Sequence, residues 1–163
     1  MPHRVLVVDD EPRVLASMAR CLRLAGFQVE SADSGKVALT LCEEHSFDVV
    51  VLDFIMPEID GVVLLARIRR IQPLTRAVVL SGQIDDSIGE REVAKKLRDA
   101  VEADRYLNKP VSAAELVQTI NNLLSEEPAT DWRETAKKMV TGKSASIKSA
   151  MKAASDLKKH RKK

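Results

Sequence analysis

Phe47-Asp48-Val49-Val50-Val51-Leu52-Asp53-Phe54-Ile55-Met56-Pro57-Glu58-Ile59-Asp60-Gly61 is the stretch from which the fold can be read. Val49 to Leu52 form an uninterrupted apolar run, the pattern of a strand buried on both faces, and the run stops at a carboxylate, Asp53. Met56-Pro57 forces extended or turning backbone, and Asp60-Gly61 reads as a turn into a helix starting near Val62. Asp53 is thereby placed at the mouth of a strand, beside a loop.

Other segments repeat this design. Val5 to Val8 is a second β-branched run, ending in Asp9-Asp10-Glu11 with Pro12 at a helix start. Val14, Leu15, Met18, Cys21, Leu22 and Ala25 recur at helical spacing up to Gly26. Phe27 to Ser31 reads as a strand, Ser34-Gly35 as the start of a helix, and Val37, Ala38, Leu41 and Cys42 as its apolar face. Val62, Leu65, Ile68 and Ile71 mark the next helix, which ends before Pro73. Ala77 to Leu80 is another buried-type strand, closing on Ser81-Gly82. Asp85 and Asp86 can cap a fourth helix bearing Val93, Leu97 and Val101. A fifth strand, Arg105 to Asn108, delivers Lys109-Pro110, and Ser112 with Glu115 forms a capping box for a fifth helix carrying Leu116, Ile120, Leu123 and Leu124.

Five strands alternating with five helices argue for an α/β fold with an open parallel sheet covered on both faces. Right-handed crossovers put every strand's carboxyl end on one edge, where ligands of such sheets gather. Asp9, Asp10, Asp53, Ser81 and Lys109 should therefore converge.

A chain of 163 residues holds one ordinary domain and a short appendage. The hydrophobic content of 45% and charged content of 31% are those of a globular chain, and no apolar run approaches the ~18 residues of a membrane span. Met-Pro-His-Arg before a short apolar run is not a signal peptide, so the cytoplasm is expected. Cys21 and Cys42 lack metal-type spacing and read as small hydrophobes. The net charge of +2 conceals an acidic body and a basic tail: from Pro128 onward eleven Lys and Arg face three acids.

Three carboxylates at close range repel one another, and a hard divalent cation such as Mg2+ is the usual way to keep them ionised together. A lysine and a hydroxyl add a point charge and a hydrogen-bond donor for a phosphoryl group. That combination points to phosphoryl transfer onto a carboxylate. There is no P-loop or Gly-rich nucleotide loop, so the donor comes from another molecule. His3, His45 and His160 have no partners at catalytic spacing, and no phosphorelay role is assigned to them.

The ordered set Val-Val-Asp-Asp-Glu, Leu-Asp-Phe-Ile-Met-Pro-Glu-Ile-Asp-Gly, Leu-Ser-Gly and Tyr-Leu-Asn-Lys-Pro resembles the receiver domain of two-component response regulators, over roughly Arg4 to Leu124. The resemblance implies a flavodoxin-like (βα)5 sheet of strand order 2-1-3-4-5. It implies Asp53 as phosphoacceptor for phosphohistidine on a sensor histidine kinase or phosphotransfer protein. Mg2+ would be held by Asp10, Asp53 and the backbone carbonyl of Ile55, with Asp9 acting through water. Lys109 would grip the phosphoryl oxygens, Ser81 would swing toward them, and Tyr106 would follow as an aromatic switch. The Lys109-Pro110 bond is cis in that family. Such a module is no turnover enzyme, catalysing only its own phosphorylation and dephosphorylation. Taken singly, Ser81 could merely cap, Lys109 could be solvated, and Tyr106 could be a half-buried strand residue.

Two features depart from the pattern. The span from Ser81 to Lys109 is longer by about one and a half helical turns, and a small Ala-Gly-Ala turn before the fifth strand is replaced by Asp-Ala-Val-Glu-Ala-Asp-Arg-Tyr. Both fall where receivers dock a downstream protein or a second copy, on the face of the fourth helix, fifth strand and fifth helix. The tail is a further departure. Residues 1–126 are expected to form the receiver, and 127–163 a linker and a basic, partly helical tail with no independent output domain. Asp131 can cap a helix bearing Trp132, Ala136, Met139 and Val140, and Ile147, Ala150, Met151, Ala154 and Leu157 give a second amphipathic pattern. A solvated basic tail is one reading; a helix docking on a partner or on the acidic body is a second. The alternative function is a regulator that binds DNA or a membrane surface through this tail.

Overall fold

A computed structural model of the chain describes residues 1–82 and 103–126. The elements are β1 (Arg4–Val8), α1 (Pro12–Leu24), β2 (Gln28–Ala32), α2 (Gly35–Glu44), β3 (Val49–Asp53), α3 (Gly61–Ile71), β4 (Arg76–Ser81), β5 (Arg105–Asn108) and α4 (Ala113–Ser125). The helix expected around Asp85 to Val101 and the tail patterns from Asp131 to Leu157 lie outside the described residues, and α4 is the fifth helix of the sequence reading.

The five strands form one parallel sheet in the order β2-β1-β3-β4-β5, so the flavodoxin-like arrangement stands. Alternation of side chains splits the apolar runs between two cores. Leu6, Val8, Val50, Leu52, Ala77 and Val79 face α2 and α3, meeting Ala38, Cys42, Leu64, Leu65 and Ile68. Val5, Val7, Val49, Val51, Val78 and Leu80 face α1 and α4, meeting Met18, Leu22, Leu116, Ile120 and Leu123. This two-sided burial is why Val49 to Leu52 carry no polar residue.

The ends of the elements follow local chemistry. Ser34 and Ser112 cap α2 and α4, their hydroxyls accepting from the amides of Val37 and Glu115. Pro12 begins α1, and Gly26, at φ +94, ends it in the left-handed conformation. Asp60 precedes α3 but makes no side-chain cap bond; the helix starts at Gly61, one residue before the sequence suggests. Strand β2 is likewise shifted by one residue, because Phe27 turns into the α1 core. Val37 and Ile71, expected on apolar faces, are each 40% exposed, at the rims of their helices. The side chain of Val62 lies outside the described residues.

At the amino-terminal edge of the sheet, Gln72 joins two connections. Its amide donates to the carbonyls of Cys42 (2.7 Å) and His45 (2.5 Å), and its oxygen accepts from the Phe47 amide (2.9 Å) and the Thr75 hydroxyl (3.0 Å). A second tie is the nearly buried pair Arg69 Nη2–Asp104 Oδ2 at 3.2 Å, with Asp104 also accepting from the Ala77 amide at 2.7 Å. Asp104 is part of the unusual segment before β5 and takes up the place of a small-residue turn by bonding α3 to β4. The Cys42 thiol sits in this core, its pKa pushed up to about 11 by burial and by Glu30, which makes it an unreactive hydrophobe.

Candidate functional site

The carboxyl ends of β1, β3, β4 and β5 bring together the polar residues that close those strands. Asp9 follows β1 and is fully buried; its Oδ1 accepts from the Glu11 amide at 2.8 Å, an Asx-type turn that bends the chain into α1. Asp10 beside it is exposed. Asp53 ends β3, 8% exposed, and its Oδ1 accepts a long bond of 3.4 Å from the Ile55 amide. Ile55 itself is 46% exposed at the rim.

Gly61 holds this loop closed. Its amide donates to the Phe54 carbonyl at 3.0 Å, and a Cβ built there would lie 2.1 Å from the Asp53 carbonyl oxygen. Only a residue without a side chain permits that approach. The Asp-Gly pair that looks like a turn signal in the sequence is therefore also a packing requirement at Asp53.

Lys109 directly follows β5 and is joined to Pro110 by a cis peptide bond. Its ammonium lies 3.0 Å from Asp9 Oδ2 and 3.2 Å from Asp53 Oδ2, bridging the two carboxylates. Burial works against the Lys109 ammonium, but the bond to Asp9 and the charges of both aspartates outweigh it, so its pKa lies above the ordinary lysine value. For Asp53, burial is the largest influence and pushes the carboxyl above its ordinary value; Lys109 opposes this and the Asp9 charge adds to it.

Asp9, Asp10 and Asp53 each offer a carboxylate oxygen, and these oxygens lie within 4.8 Å of one another. An all-oxygen donor set with one solvent-facing member suits a hard divalent cation. The three acids and Lys109 thus meet as the spacing along the chain suggests.

Ser81, 1% exposed at the end of β4, lies opposite Asn108, and its hydroxyl donates to Asn108 Oδ1 at 3.3 Å. Tyr106 is half-buried against the α2/α3 core, with its hydroxyl accepting from the Ala103 amide at 3.4 Å. Asn108 is the contact that the sequence reading missed. The available signal was its residue type, since asparagine is depleted in strands and this one ends a strand beside Lys109.

The chain matches the family model for the response regulator receiver domain over residues 5–121. It is 40% identical over 129 residues to the transcriptional regulatory protein PrrA of Mycobacterium tuberculosis, covering 78% of this chain and 52% of that protein. The chain spans about half the length of the curated relatives it matches. Among solved structures, it resembles a response regulator from Chloroflexus aurantiacus, with TM-score 0.66, 32% identity, and coverage of 77% of this chain and 100% of that one. It also resembles the beryllofluoride-activated receiver domain of DrrB, with TM-score 0.64, 28% identity and coverage of 77% and 100%. No helix among the described residues is long and apolar enough to cross a membrane.

Proposed function

Since this chain belongs to the response regulator receiver domain family of two-component systems, we propose that Asp53 is its phosphoacceptor and that the phosphoryl group comes from a sensor histidine kinase or phosphotransfer protein. The observation that carries this reading is the Lys109 ammonium seated between Asp9 and Asp53, with Asp10 completing a three-carboxylate cluster.

In the reaction an Asp53 carboxylate oxygen attacks phosphorus on the donor imidazole. An O–P bond forms, the N–P bond breaks, and its electron pair stays on the histidine nitrogen. The Lys109 ammonium, already 3.2 Å from Asp53 Oδ2, is placed to hold an oxygen of the incoming group. Partial burial leaves Asp53 little water to shed before it attacks, while the Ile55 amide steadies the other oxygen. Asp10, Asp53, the Ile55 carbonyl and, through water, Asp9 would hold Mg2+, which when bound offsets the charge gathered by carboxylates and phosphate. The chain acts on its own phosphoryl group and does not turn over a separate substrate.

Ser81 then turns to the phosphoryl group and Tyr106 moves inward, a shift between two packings that the modification biases. The readout is a change in the surface of β5 and α4, which binds a downstream protein or a second copy in the cytoplasm. Residues 127–163 add a segment rich in Lys and Arg to the receiver.

A phosphotransfer profile tests this: 32P-labelled histidine kinases of the source organism are mixed with the wild type and with Asp53→Asn. Rapid transfer from one kinase to the wild type and none to the variant is expected; transfer to both sinks the assignment.

A second reading is favoured by the excess of eight positive charges from Pro128 onward and by the regulatory names of the relatives. In it the tail contacts nucleic acid. DNA binding that weakens steeply with salt and disappears on deletion of 128–163 supports this; no binding at low salt excludes it.

A further inference from the structure

β4 and β5 end side by side at the reactive edge. The Lys109 amide donates to the Ser81 carbonyl at 2.7 Å, and Ser81 lies in register with Asn108, two residues beyond the pair Val79 and Tyr106. Val79 and Tyr106 both belong to the α2/α3 core, so the Ser81 hydroxyl, the Asn108 carboxamide and the Tyr106 ring share that face of the sheet. The bond across the end of this row runs from the Ser81 hydroxyl to Asn108 Oδ1 at 3.3 Å.

A hydroxyl has one proton to donate. Ser81 therefore cannot give it to Asn108 and to a phosphoryl oxygen at the same time. Asparagine is poorly suited to a strand, and Asn108 is exposed rather than packed in the core, so neither strand propensity nor core packing accounts for it.

We propose that Asn108 is a positioning residue that holds the Ser81 hydroxyl in the unphosphorylated state and so sets how far the switch rests toward inactive. The inference rests on the proposed role of Ser81 and extends it: activation exchanges Asn108 Oδ1 for a phosphoryl oxygen as the acceptor. Weakening the first acceptor makes the second easier to reach. Because Asn108 is exposed, water competes for its carboxamide, and the loss of such a bond shifts an equilibrium by about two- to fivefold.

The test titrates the 163-residue chain with beryllofluoride in Mg2+, following backbone amide shifts of residues 106 to 109 by NMR. Asn108→Val suits the strand and lacks the acceptor; Asn108→Ala serves beside it in case the valine disturbs folding. Each is made with Ser81 intact and with Ser81→Ala. The expected result is a midpoint about two- to fivefold lower for the Asn108 variants when Ser81 is present, and no shift when Ser81 is alanine. A merely structural role would move both backgrounds equally, and that outcome overturns the proposal, as does an unchanged midpoint with Ser81 intact. If the wild type itself does not respond while it folds normally, the phosphoacceptor reading fails and this inference fails with it.

Discussion

Replacing Lys109 with methionine keeps the volume of the side chain and removes its charge. Two carboxylates then lose their shared cation: Asp9, fully buried, and Asp53, whose side chain is 11% exposed. At 3.0 Å and 3.2 Å, and an effective dielectric of about 20, each attraction is worth about 5 kcal/mol before desolvation is counted. Removing one partner of a buried pair costs about 3–5 kcal/mol net. The Lys109 side chain is 26% exposed, which places the expected loss at the lower end, about 3 kcal/mol. With a urea slope near 1.5–2 kcal/mol/M this lowers the unfolding midpoint by about 1.5–2 M at pH 7 without added metal. Lys109 has a folded pKa above its unfolded value, so its contribution is complete at pH 7 and is lost only as pH rises through that folded value. The penalty in Lys109→Met narrows as pH falls, since Asp53 already binds its proton more readily than an ordinary aspartate and binds it more readily still without Lys109. Millimolar Mg2+ raises the variant's midpoint more than the wild type's. A variant midpoint within about 0.3 M of wild type at pH 7 would refute the view that Lys109 holds these acids together.

Asp53→Asn is expected to be more stable than wild type at neutral pH, because the folded state raises the Asp53 pKa and so disfavours its ionised form; the advantage fades as pH falls toward the ordinary aspartate range, where wild-type Asp53 is protonated anyway. Parallel thermal melts between pH 4 and 8 check the sign, and a less stable variant at pH 7 would contradict it. Gly61→Ala forces a Cβ into the Asp53 carbonyl and should cost about 3 kcal/mol in urea unfolding, with displaced amide resonances at Asp53 and Phe54; a neutral substitution would show that the loop yields freely. Gln72→Ala removes four hydrogen bonds and leaves the Phe47 amide unsatisfied, lowering stability by about 2 kcal/mol and Tm by roughly 8 °C, while leaving beryllofluoride binding intact.

The sheet was legible because Val5 to Val8, Val49 to Leu52 and Ala77 to Leu80 are two-sided apolar runs, each closed by a polar residue that cannot continue into the core. That punctuation also announced the cluster of Asp9, Asp10, Asp53 and Lys109, since parallel strands share one carboxyl edge. What the pattern could not carry was pairing among polar side chains. Arg69 is one of two arginines in the last turn of α3, and nothing in the helical period shows that it reaches Asp104 across 35 positions of sequence. Gln72 reads as a helix end, yet it binds two connections at once. Asn108 reads as the residue before Lys109, and only the β4–β5 register shows that its carboxamide meets Ser81. Val37 and Ile71 fit the helical period but sit at the edge of the buried arc, where period alone cannot separate rim from core.

Intact-mass and peptide mapping after incubation with acetyl phosphate and Mg2+, followed by borohydride trapping of acyl phosphate, tests the central claim most directly. A single phosphoryl adduct on wild type, mapped to Asp53 and absent from Asp53→Asn, is the predicted result. An adduct that maps to Asp9 or Asp10, or that persists in Asp53→Asn at the wild-type level, would contradict it.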